Sequence, residues 1–149
     1  MTSPRGEQGE SLLEVLIAVA IMGIAVVAIM AGLVTSVLVS DVHRKQSTAG
    51  TAVRDYAEAI QSAVATGNYQ ACGTSSWYQS HSGFTTPAGF TPTVVTGSMR
   101  YWSGSAWQSS CTTDLGLQQL TVQVASDDGR ATERVDVVLR KPCGLETSC

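Results

Sequence analysis

From Val15 to Ser40 the chain carries no charged side chain, and this run of 26 residues limits its fold more than any other feature. As an α-helix at about 1.5 Å per residue it would span roughly 39 Å, more than the ~30 Å of hydrocarbon in a bilayer. It contains no proline, so nothing in it interrupts a helix. A membrane span over about residues 15–40 is therefore expected. Residues 1–9, MTSPRGEQG, are short, polar and rich in breakers, and read as a leader or tail rather than as packed structure.

One acid stands at the edge of the apolar run. Glu14 follows Ser11 at the S-x-x-E spacing of a capping box, in which each side chain satisfies a free backbone N–H at a helix start. A charged side chain in mid-membrane costs at least ~2.5–3.5 kcal/mol on insertion scales. Near the end of the span the cost is lower, and the helix dipole returns about 0.3–1 kcal/mol. Glu14 thus has a local explanation, as a cap, and a second one, as half of a pair whose partner lies elsewhere.

Beyond the span the helical signal changes character. Val42, Ala49, Val53, Tyr56, Ala57, Ile60 and Val64 recur at spacings of three, four and seven, an amphipathic stripe, with Asp55, Glu58 and Gln61 between them. Gly67-Asn68 is the stop. One helix over 10–66, roughly 85 Å long, is expected.

Residues 67–149 have the texture of a β head. Residues 70–98 are rich in Ser, Thr, Gly and Pro and read as a surface loop with one short strand at 93–96. SMRYWSGSAWQSSC reads as a hairpin around Ser103-Gly104-Ser105. A second hairpin alternates Leu120, Val122 and Val124 on one arm with Val135, Val137 and Leu139 on the other, turning at Asp127-Asp128-Gly129. The expected fold is α+β: an antiparallel sheet with one face covered by the amphipathic half of the helix.

The four cysteines, Cys72, Cys111, Cys143 and Cys149, all follow the span. Their even number points to disulfides and an oxidising compartment. No C-x-x-C spacing and no histidine near a cysteine pair supports zinc. Four cysteines permit three pairings. Of these, Cys72–Cys111 would close a loop of about 39 residues, worth about 4 kcal/mol on the chain-entropy estimate, and Cys143–Cys149 would pin the tail.

The stretch GESLLEVLIAVAIMGI resembles the N-terminal processing signal of type IV pilins and pseudopilins: a polar leader ending in glycine, a residue usually phenylalanine, a small polar residue, two apolar residues, a glutamate, then an unbroken apolar helix. Gly9, Glu10, Ser11, Leu12, Leu13 and Glu14 take those places in order, and Gly23 matches a glycine frequent in the family's helix. The expected layout of long helix and disulfide-bearing sheet is also pilin-like. The resemblance implies cleavage between Gly9 and Glu10 by a prepilin peptidase, methylation of the new amine, and storage in the membrane. It further implies assembly into a cell-surface filament with other pilin subunits, Glu14 pairing with a neighbour's N-terminal amine. Glu10 stands where the family usually has phenylalanine and the frequent mid-span proline is missing, a variant similar to minor pilins of high-GC Gram-positive bacteria.

Other functions find less support. His43 and His81 have no serine, cysteine or acid at motif spacing, and no phosphate-binding loop is present, so neither an enzyme nor a cofactor is expected. The net charge of −3 gives no bulk attraction for nucleic acid. Tyr101, Trp102 and Trp107 near Arg100 could stack on bases, but alternation between sheet core and rim explains them more simply. The competing reading is an uncut single-span protein with a disulfide-stapled extracytoplasmic binding head. Arg44 and Lys45 just past the span, against Arg5 before it, oppose an extracytoplasmic head by the positive-inside rule.

Overall fold

A computed structural model describes the backbone of residues 10–143 and the side chains of residues 12–143. Helix α1 spans Glu10–Ala65 without a break. The chain divides into two compact units, Met1–Asp41 and Val42–Cys149, so α1 contributes to both.

In the first unit α1 is apolar on every side, and its large side chains from Leu12 to Val39 are exposed all round. Among the described residues this is the one helix long and apolar enough to cross a membrane. Ser11 lies in the first turn of α1, and its side chain, on which the expected cap depends, lies outside the described residues.

The second unit is an α+β fold: the amphipathic part of α1 packed on a small antiparallel sheet. After α1 come α2 (Ser75–Ser80), β1 (Phe90–Val94), β2 (Arg100–Trp102), β3 (Trp107–Gln108), β4 (Leu117–Ser126) and β5 (Thr132–Arg140). β4 is the centre. Leu117–Ala125 pair with β5 on one edge, while β1 takes Val122–Ser126 and β2 takes Gln118–Gln119 on the other. β3 lies outside β2.

Burial on β4 alternates strictly: Gln118, Leu120, Val122, Val124 and Ser126 are buried and their neighbours half-exposed. From β5, Val137 and Leu139 join this face, with Val135 half-buried beside them. The helix supplies Ala52, Val53, Tyr56, Ala57, Ile60 and Val64, the stripe that its sequence spacing predicts. Thus a period of two on the strands meets a period of 3.6 on the helix in one core.

The helix stops where expected. Asn68 N–H bonds to Ala63 C=O at 2.9 Å and Gly67 N–H to Val64 C=O at 3.2 Å, a Schellman ending that needs the positive φ of Gly67. Two expectations need correction. Residues 75–80 are a helical turn, not loop, because Thr74 caps it by accepting from Trp77 N–H and Tyr78 is drawn into the core. The strand expected at 93–96 runs instead over Phe90–Val94, since Gly97 takes a positive φ and Ser98 N–H turns back to Val95 C=O.

Candidate functional site

Glu14 lies in the second turn of α1 and is exposed. It has no hydrogen bond or ion pair with any described residue. After it, α1 offers only uncharged apolar, small and hydroxyl side chains as far as Ser40; Thr35, for example, returns its hydroxyl to Ala31 C=O. Glu14 is thus the acid at the N-terminal edge of the uncharged run. Gly9 lies outside the described residues, and of Glu10 only the backbone is described, at the first position of α1.

The head is fastened at the far end of α1 by a polar cluster. Cys72 and Cys111 are disulfide-bonded, with Cα atoms 5.6 Å apart. Cys143 is disulfide-bonded as well, and Cys149 lies outside the described residues. Beside the first bridge, Asp114 accepts four hydrogen bonds: from Tyr69 Oη (2.7 Å), Cys72 N–H (2.7 Å), Gly116 N–H (2.6 Å) and Gln118 Nε2 (2.7 Å). Gln118, fully buried, also donates to Gln70 C=O and accepts from Tyr78 Oη. Tyr101 Oη closes the cluster on Gly73 C=O. The loop leaving α1 is thereby tied to β4 through side chains rather than through a strand.

Burial by itself would raise the Asp114 carboxyl, but the bonds from Tyr69, Cys72, Gly116 and Gln118 outweigh it and hold the group below its ordinary range. Burial pushes Tyr78 up to about 12. It raises Tyr69 further, helped by the hydrogen bond to Asp114. Asp114 does carry a sequence signal, since Asp-x-Gly is an Asx-turn pattern, and here its carboxylate accepts from the N–H two residues on. Gln118 has none, because it occupies an apolar position of the alternation.

The other candidate groups do not assemble into reactive sites. Cys72, Cys111 and Asp114 lie within 4.8 Å of one another, but both sulfurs are spent on the bridge and offer no thiolate. His81 is not a free loop residue: it ends α2, stacks on Trp77 at 3.8 Å, and sets Nδ1 2.9 Å from both Ser80 Oγ and Trp77 C=O. No described acid orients this pair, so it reads as a helix-end contact and not as a nucleophile and its base. His43 is exposed on α1. Tyr101 points to the core, while Trp102 and Trp107 share the outer face in an edge-to-face pair 5.4 Å apart.

Residues 4–30 match the prokaryotic N-terminal methylation motif, the signal found on type IV pilins. It covers Gly9, Glu10, Glu14 and the first half of the apolar run. No curated protein and no solved structure matches the chain.

Proposed function

We propose that this chain is the precursor of a structural subunit, minor in number, of a type IV pilus or pseudopilus. A prepilin peptidase cuts it between Gly9 and Glu10, and the mature α1 remains in the membrane until assembly. The observation that carries the reading is a methylation motif over residues 4–30 laid on a helix whose uncharged run, Val15 to Ser40, is headed by one acid, Glu14, that pairs with no described residue.

The chemistry of assembly follows from that charge. Cleavage creates an amine at Glu10, four residues from Glu14. In a bundle of such helices Glu14 of an incoming subunit meets the amine of its neighbour. At an effective dielectric of 20, opposite charges 4 Å apart attract by about 4 kcal/mol, enough to offset the insertion cost of the acid. The pair fixes axial register because only one offset brings the two charges together. The Cys72–Cys111 bridge supports an extracytoplasmic head, where disulfides persist.

The reading is tested by the mass of the N-terminal peptide from membranes of a host with its own peptidase, together with Glu14→Ala. A peptide beginning at Glu10, and loss of pelletable filament in the variant with insertion intact, are expected. An intact leader would leave a single-span anchor with a binding head. Filaments unchanged in Glu14→Ala would remove the charge pair from the mechanism.

A further inference from the structure

The sheet has two outer edges long enough to pair, and they are treated differently. On β1 each edge-facing position is blocked: Phe90 N–H bonds to Pro87 C=O, Pro92 has no N–H, and Val94 N–H bonds to the Gln79 side chain. This is how natural sheets blunt an edge. β5 is charged but has no N–H blocked in this way among the described residues. It runs nine residues, Thr132–Arg140, without proline, and among the described residues nothing pairs with its outer side.

Which backbone groups face that side is fixed by the pairing with β4. Ser126 N–H bonds to Ala131 C=O and Lys141 N–H to Gly116 C=O, each at 2.8 Å. In an antiparallel ladder alternate residues bond to the same neighbour, so Ala131, Glu133 and every second residue to Lys141 aim at β4. Arg134, Asp136, Val138 and Arg140 aim their N–H and C=O outward.

We propose that β5 pairs antiparallel with β5 of a second copy of this chain, centred on Val138. The occupant follows from charge. A pairing centred on Arg134 or on Asp136 sets like charges face to face. Centring on Val137 opposes Arg134 to Arg140, and centring on Val135 brings Arg130 against Arg140. The Val138 and Leu139 centres have no like pair, but the Leu139 centre leaves Asp136 against Pro142, and of these two only the Val138 centre also sets opposite charges face to face. There Val138, 48 % exposed, meets its own copy, and Asp136 meets Arg140 twice. The edge-facing groups then exchange about six backbone hydrogen bonds. A groove of about 440 Å³ follows the same edge, with Val64, Ala65, Val138, Leu139 and Pro142 on its walls, and supplies apolar surface for the contact. Because the pairing is two-fold it closes on itself and does not propagate. It therefore describes subunits waiting in the membrane, not the repeat of a filament, and it stands on the geometry of β5 whatever the filament reading proves to be.

The test uses the full chain in membranes with a short thiol-reactive bifunctional crosslinker. Val138→Cys is expected to give a covalent dimer and Thr132→Cys, on the same strand but off the centre, little or none. Adding Asp136→Arg to Val138→Cys should lower the dimer about tenfold, since two attractions become repulsions, and Arg140→Asp on top should restore it. Equal crosslinking at 132 and 138, or no response to the charge swap, would overturn the proposal. So would slow amide exchange at 136, 138 and 140 in chains diluted to monomers, which would mean that residues beyond Cys143 already cover the edge.

Discussion

Replacing Asp114 by Asn keeps the shape and removes one acceptor. The carboxylate receives four donors at 2.6–2.7 Å, two on each oxygen. Whichever way the amide is turned, its NH2 faces at least one backbone N–H, either Cys72 or Gly116, and neither can rotate away. Two charge-assisted bonds at about 1.5–3 kcal/mol each are lost or inverted; with partial exposure of the site taken into account, a destabilisation of about 2–4 kcal/mol is expected. For a head of this size that is roughly a 10–25 °C fall in melting temperature. The measurement is thermal unfolding of the full chain in detergent, read by near-ultraviolet circular dichroism, at neutral and at acid pH. The pH dependence has a definite sign. Because folding lowers the Asp114 carboxyl, its contribution is complete above the ordinary carboxyl value of about 3.9 and is lost as pH falls through the folded value. The gap between Asp114→Asn and the parent should therefore be wide at pH 7 and should narrow as acid takes the pH through the folded value of Asp114. A variant within about 0.5 kcal/mol of the parent at pH 7, or a gap that does not close with acid, would refute the reasoning.

Tyr56 Oη is buried and no described group meets it at hydrogen-bond geometry, Ser82 acting on it only as a weaker polar neighbour, so Tyr56→Phe should leave the head as stable or raise it by up to about 1 kcal/mol, measured by the same melt; a loss above about 1 kcal/mol would mean that the Ser82 contact is a full hydrogen bond. Removing both Cys72 and Cys111 should cost about 4 kcal/mol on the loop-closure estimate, visible as a lower denaturant midpoint in non-reducing buffer. Burial, offset in part by Ser82, raises Tyr56 to about 12, and Tyr78 also lies near 12. Groups raised by folding stabilise fully below their unfolded value of about 10 and lose that contribution as pH climbs to 12. The absorbance of phenolate should accordingly lag behind that of free tyrosine and then rise together with unfolding.

The fold was legible wherever residues repeat. The stripe from Ala49 to Val64 and the alternation through Leu120, Val122 and Val124 each report a face, because burying a face requires a period. The Gly67 stop was legible for a different reason, since one backbone conformation there favours one residue type. What escaped was short or polar. α2 occupies six residues, too few for a period to show. The Asp114–Gln118–Tyr69 cluster depends on side chains 45 or more positions apart in sequence for its central bond, Tyr69 to Asp114, and no local pattern encodes that. Of the candidate site, Glu14 stood out because charge is rare in an apolar run, whereas the role of its neighbour Gly9 rests on the motif and not on geometry.

The seam between β1 and β2 has a practical side. Where the two strands give way to each other along β4, Thr121 would be left with idle backbone groups; Val95 N–H reaches its carbonyl at 2.9 Å and the Ser98 hydroxyl takes its N–H at 3.0 Å. One serine oxygen thus stands in for a missing stretch of strand, and the spacing from Val95 to Ser98 has no slack. Ser109 and Ser110, exposed between β3 and Cys111, carry no such duty. A dye or short epitope spliced there should leave the head intact, while the same insertion after Val95 should unpick the sheet, which makes the far side of the hairpin the place to label this protein in living cells.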